Sequence, residues 1–110
     1  MILIVGGSYQ GKTKFARNNF PECRYFNQLH LFIKKRLQEE KKPIQILTEI
    51  KDAIGDGQWV IISDEVGNGV VPIEQEDREY RDITGKILIE LADEAEEVYR
   101  VVCGIGQRIK

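Results

Sequence analysis

Cysteine is scarce in this chain: Cys23 and Cys103 stand far apart, with neither the spacing of a secreted disulfide framework nor that of a zinc site. Both are expected to be reduced core thiols. An excess of either charge is missing as well, because 16 Lys and Arg face 18 Asp and Glu for a formal net charge of −2. That balance argues against general nucleic-acid affinity, yet it allows a nucleotide, which needs local dipoles and one lysine rather than a basic surface. No apolar run approaches membrane-spanning length, and neither a basic leader nor a cleavage site precedes the first apolar residues. A membrane span is therefore not expected, and a cytoplasmic location is. Histidine occurs once, at His30, and no repeat, linker or low-complexity segment appears. What remains is 110 residues with 42% apolar and 31% charged side chains, the composition of one soluble domain over residues 1–110.

Within that frame, Gly6-Gly7-Ser8-Tyr9-Gln10-Gly11-Lys12-Thr13 is a complete G-x-x-x-x-G-K-[ST] loop. Met1 to Val5 before it is apolar and β-branched, which predicts a buried strand. After it, Lys12 to Asn19 predicts a short helix starting at Gly11 or Lys12. Strand, glycine loop and helix are the context such a loop requires. Loop N–H groups and the helix N-terminus would then favour a polyphosphate at one spot. Lys12 is expected to reach the β- and γ-phosphates and the Thr13 hydroxyl to bind Mg²⁺. The competing reading is a chance pattern on an ordinary turn.

Further along, Cys23 to Phe26 suits a short strand, and Asn27 is a candidate N-cap for a helix carrying Leu29, Leu31, Phe32, Ile33 and Leu37. A second helix should begin at Pro43 or Ile44 and end at Gly55 to Gly57. Trp59 to Ser63 is a continuous apolar strand of the kind covered on both faces in a parallel sheet. Asp64 to Pro72 reads as a loop, Glu74 to Glu96 as the longest helix, and Glu97 to Cys103 as a last core strand. Gly104 to Lys110 reads as a glycine turn into a short terminal strand. The expected fold is α/β: a P-loop NTPase-like, mostly parallel sheet flanked by helices.

Phosphoryl transfer needs a carboxylate at the end of a core strand near the loop. Asp64 and Glu65 end the Trp59 strand, and in a parallel sheet its carboxyl end shares an edge with the glycine loop. A plain acidic turn is the alternative. Val66 to Pro72 places apolar residues between glycines, which fits either a substrate-facing wall or a buried turn. Arg78 and Arg81, three apart on one helical face, could clamp phosphates, or could form local ion pairs on a solvated surface. His30 could act as a base or accept a phosphoryl or nucleotidyl group, although a lone histidine is often structural. Trp59, Tyr80 and Tyr99 read as packing residues.

Four blocks together carry a family resemblance: the Gly6 to Thr13 loop, Ser63 to Pro72, Arg78 to Gly85 and Val101 to Lys110. In that order they resemble the bifunctional adenosylcobinamide kinase and adenosylcobinamide-phosphate guanylyltransferase of cobalamin biosynthesis. The resemblance covers Met1 to about Phe20 and Trp59 to Lys110. It implies a P-loop fold that phosphorylates the aminopropanol hydroxyl of adenosylcobinamide and then transfers GMP from GTP through a guanylylated histidine. Carried over by position, Gly6, Gly11, Lys12 and Thr13 would hold the triphosphate of ATP or GTP and Mg²⁺. The whole loop of Gly6, Gly7, Ser8, Tyr9, Gln10, Gly11, Lys12 and Thr13 is the expected nucleotide-binding segment. Asp64, where the family often has Asn, and Glu65 are the expected strand-end carboxylates at Mg²⁺ beside Thr13. Glu65 would line the site, and Arg78 and Arg81 fall in the paired-arginine motif. His30 lies in a comparable helix, with different flanking residues and a shorter spacing from the loop. Leu88 and Ile89 replace the polar pair that follows the glycine at Gly85, and the middle of the chain lacks the histidine-bearing region in recognisable form. Two functions follow as expectations: an Mg²⁺-dependent transferase acting on adenosylcobinamide, or a nucleotide-binding accessory or regulatory protein that kept the loop and lost catalysis. The short length also allows a homo-oligomer in which a neighbour completes each site.

Overall fold

Two apolar runs whose side chains are buried on both faces form the centre of a five-stranded sheet. These are β1 (Ile2–Gly6) and β3 (Trp59–Asp64), parallel neighbours in register from Ile2 opposite Val60 to Gly6 opposite Asp64. A computed structural model of the chain describes residues 1–65 and 75–110. Around the central pair lie β2 (Arg24–Phe26), β4 (Glu97–Val102) and β5 (Ile105–Arg108), in the order β2-β3-β1-β4-β5. All pairings are parallel except β4 with β5, a hairpin closed by Cys103 and Gly104 at φ of 50° and 77°. Positive φ at both central residues is what a two-residue type I′ turn demands. Cys103 is exposed on that turn, so the expectation of a core thiol is corrected there.

The helices divide between the faces. On one side α1 (Lys12–Asn19) packs Phe15 and Ala16 onto a cluster of Ile4, Val60, Ile62 and Val101. Opposite it lie α2 (Leu29–Gln38), α3 (Pro43–Ile54) and α4 (Gln75–Glu94) over Leu3, Val5, Ile61 and Val98. Alternate strand residues feed alternate faces, so the unbroken apolar runs fill two cores. Ile46, Ile50 and Ile54 form a buried stripe on α3 at a spacing of four, and Ile87 and Leu91 do the same on α4, continued by Ala95 just past its end. Pro43 opens α3 where its missing N–H costs nothing, and the Gln45 side chain accepts the Lys42 N–H at 2.9 Å.

Most expected elements lie within a residue or two of their predicted ends. The α2 start is corrected by one position: Gln28, at φ 55°, is the N-cap, and the Asn27 side-chain oxygen accepts the Gln28 N–H at 2.8 Å. The expectations for the loop 66–72 and for Glu74 lie outside the described residues. Among the described residues no helix is long and apolar enough to cross a membrane.

Candidate functional site

The carboxyl ends of β1 and β3 meet on one edge, and their following helices lie on opposite faces of the sheet. A crevice forms at such a point in α/β sheets. Here it is a cavity of about 420 Å³ lined by the Ser8 to Lys14 loop, by Asn27, Gln28, His30 and Leu31 at the start of α2, and by Ile62, Ser63 and Asp64. That volume lies in the range of small-molecule sites.

The glycine loop takes its shape from two residues that tolerate no side chain. A Cβ on Gly6 would stand 2.5 Å from the Val101 carbonyl oxygen, so β1 and β4 approach too closely for alanine. Gly11 caps α1 in the left-handed region at φ 86°. The loop is also braced from the C-terminal hairpin. The Gly104 N–H donates to the Gln10 carbonyl oxygen at 2.7 Å, and the Cys103 N–H donates to the Gln10 side-chain oxygen at 2.7 Å. Tyr9, at φ 58°, is fully exposed at the loop tip.

Inside the cavity, charged and polar groups converge on Asp64. Lys12 is 8% exposed, donates to the Gly7 carbonyl oxygen at 2.6 Å and places Nζ 2.7 Å from Asp64 Oδ1. Ser8 Oγ donates to Asp64 Oδ2 at 2.7 Å. The Asp64 N–H donates to His30 Nδ1 at 3.0 Å, and His30 Nε2 lies 3.4 Å from Asp64 Oδ2. Burial pushes the Asp64 carboxyl up, but the hydrogen bonds from Lys12 and Ser8 and the nearby positive charge outweigh it and hold the group below 3.8. Burial lowers His30 below 6.5; the Asp64 charge opposes that shift and Lys12 adds to it. Tyr80 Oη donates to the His30 carbonyl oxygen at 3.0 Å, fixing the first turn of α2 against α4.

Sequence reasoning located Ser8, Lys12, Thr13, His30 and Asp64, and the structure brings all five to this cavity. Glu65 turns elsewhere: its N–H donates to the Gly6 carbonyl oxygen at 2.8 Å, and its Oε1 lies 3.2 Å from Arg100 Nε on β4. Arg78 is exposed and Arg81 half-buried near the start of α4, and neither is among the described lining residues. Asn27, a candidate cap by its sequence position, donates from its amide nitrogen to Thr13 Oγ1 at 3.3 Å across the cavity. Nor does local sequence signal that Tyr80 reaches His30, a contact made fifty positions away in the chain. Polyphosphate is the ligand class this arrangement suits, with a lysine and a hydroxyl on a glycine loop before a helix. An oxygen donor set of Thr13 and Asp64 suits a hard cation. Among the described residues no three acidic, His or Cys side chains cluster as metal ligands.

The chain is similar to two curated proteins, each named bifunctional adenosylcobalamin biosynthesis protein CobU, from Escherichia coli (strain K12) and Salmonella typhimurium (strain LT2). It is 47% identical to each over 51 residues, which is 46% of this chain and 28% of the relative. The aligned part thus spans little more than a quarter of those proteins. A family model described as cobinamide kinase / cobinamide phosphate guanyltransferase matches residues 21–109. That match includes the middle of the chain, whose sequence shows no recognisable form of the histidine-bearing region, and it begins just beyond α1. With this match over most of its length, the chain belongs to the CobU family of cobinamide kinase / cobinamide phosphate guanyltransferase proteins.

Proposed function

We propose that the cavity binds a nucleoside triphosphate with Mg²⁺ and that the protein transfers its terminal phosphoryl group to the hydroxyl of a cobinamide. The observation that carries this reading is the meeting of Lys12 and Ser8, on the glycine loop, with Asp64, at the end of the adjoining strand. Phosphoryl transfer is mostly positioning and charge stabilisation, which calls for groups of this kind rather than for covalent chemistry by the protein. Lys12 neutralises the β- and γ-phosphates, and the N-terminus of α1 adds partial positive charge. Thr13 and Asp64 would hold Mg²⁺, which when bound supplies charge neutralisation at the phosphate oxygens. In this reading Asn27, Gln28 and Leu31 face the acceptor side. Arg78 and Arg81 act on phosphate only when brought over the cavity, and Glu65 supports the β1 end through its bond to Gly6. For the guanylyltransferase half, the resemblance assigns the nucleotide to a histidine, and His30 is the only one in the chain.

The test is titration of the purified chain with ATP and with GTP, each with and without Mg²⁺, followed by an assay of phosphate transfer to adenosylcobinamide. Saturable Mg²⁺-dependent binding with turnover supports the kinase. Binding without turnover, under conditions where a full-length relative works, supports the second reading, a nucleotide-binding accessory protein. That second reading draws on the alignment to only 28% of each relative's length.

A further inference from the structure

We propose that His30 is a positioning residue, locked as the Nε2–H tautomer and holding the Asp64 backbone in place at the end of β3, and that it does not carry a nucleotide. This rests on reading the cavity as a nucleotide site. Both ring nitrogens face the same residue. Nδ1 accepts the Asp64 backbone N–H at 3.0 Å, so its lone pair is engaged and the ring hydrogen must sit on Nε2. Nε2 lies 3.4 Å from Asp64 Oδ2, an electrostatic contact outside hydrogen-bond geometry. To attack phosphorus, a histidine must direct a free lone pair at the reacting atom, and neither nitrogen offers one here.

The surroundings hold this arrangement from three sides. The backbone donor cannot reorient, because the Asp64 peptide belongs to the last residue of β3, paired with Gly6 of β1. The His30 carbonyl oxygen is tied to α4 by Tyr80 Oη at 3.0 Å. The carboxylate takes its donors from Ser8 and Lys12, each at 2.7 Å. His30 therefore holds the Asp64 backbone, while the glycine loop holds its carboxylate. It keeps the Asp64 peptide in place at the end of β3 when Lys12 and Ser8 turn to phosphate.

Because His30 is the only histidine, a two-bond ¹H–¹⁵N correlation on the ¹⁵N-labelled full chain reads its ring without ambiguity. The expected pattern is a ring with hydrogen on Nε2 and none on Nδ1. A ring carrying hydrogen on Nδ1 would overturn the proposal, and this readout needs neither nucleotide nor a variant. Calorimetry with Mg²⁺ and ATP then compares His30→Gln, whose amide oxygen can accept the Asp64 N–H in place of Nδ1, with His30→Phe, which cannot. His30→Phe is expected to bind about tenfold more weakly and His30→Gln within about threefold of the parent. Equal affinity for His30→Phe and the parent overturns the positioning role. Mass spectrometry after incubation with Mg²⁺ and GTP is expected to find an unmodified chain; a covalent nucleotide that disappears in His30→Phe overturns it too. A flat titration of the parent chain would count against the proposed function alone, since the tautomer is read in its absence.

Discussion

Asp64 is the residue on which the site turns, because one carboxylate answers Lys12, Ser8 and His30 at once. Removing the buried lysine charge as Lys12→Met keeps most of its volume, so the effect should fall on ligand binding. Affinity for the Mg²⁺ complex of ATP is expected to drop at least about tenfold by calorimetry, as for loss of a charge-assisted contact. The titrating groups set an acid limit on stability. His30 is lowered below 6.5, so the unfolded chain binds more protons there and stability falls as pH drops below 6.5, levelling off below the folded value. Asp64 is also lowered, from 3.8, so its contribution is complete above that value and is lost as pH falls through the lower folded one. Urea denaturation from pH 7.5 to 3 should therefore show two descending stages, and His30→Gln should lack the upper one. Thr84 supplies a test of opposite sign. Its hydroxyl is fully buried with no hydrogen-bond partner among the described residues. Thr84→Val is expected to raise stability by about 1 kcal/mol, read as a higher melting temperature.

Among the elements, the C-terminal hairpin matters more than its place at the sheet edge suggests. Its turn donates twice to Gln10, and β5 packs under α1 so tightly that a Cβ on Gly106 would lie 2.1 Å from the Phe15 ring. Gly106→Ala should displace Phe15 and with it the start of α1. A cost of about 1–3 kcal/mol in urea denaturation is expected, together with weaker nucleotide binding. Gln10→Ala removes only the side-chain half of the brace, so about 1 kcal/mol is expected there. The helices and strands were legible because their apolar spacing is strong: Ile46, Ile50 and Ile54 can only be a helix side, and Trp59 to Ser63 only a doubly covered strand. The α2 start was missed by one residue because Asn27 and Gln28 both suit a helix entrance. Gln28 takes the cap at a positive φ that Asn would tolerate more readily.

For the whole molecule, the order β2-β3-β1-β4-β5 is what makes a site of the glycine loop. It seats β1 between β3 and β4, so Gly6 ends opposite Asp64 and the loop lies at the crevice. From the sequence one could read that the Trp59 strand ends in acid and that a parallel sheet puts that end near the loop. Which acid faces the cavity could not be read, because strand alternation and twist decide it: Asp64 turns to Lys12 while Glu65 turns to Arg100. The contacts of His30 with Asp64 and Tyr80 were equally hidden, being made between elements far apart in the chain. Family membership names a kinase and guanylyltransferase chemistry, and the cavity offers the parts that triphosphate binding needs. The most direct test is calorimetric titration of the full chain with ATP and GTP in the presence of Mg²⁺, beside Lys12→Met. A saturable isotherm for the parent that is lost or at least tenfold weaker in Lys12→Met is the expected result. A flat isotherm for both nucleotides, or equal binding by Lys12→Met, would contradict a nucleotide site built on this loop.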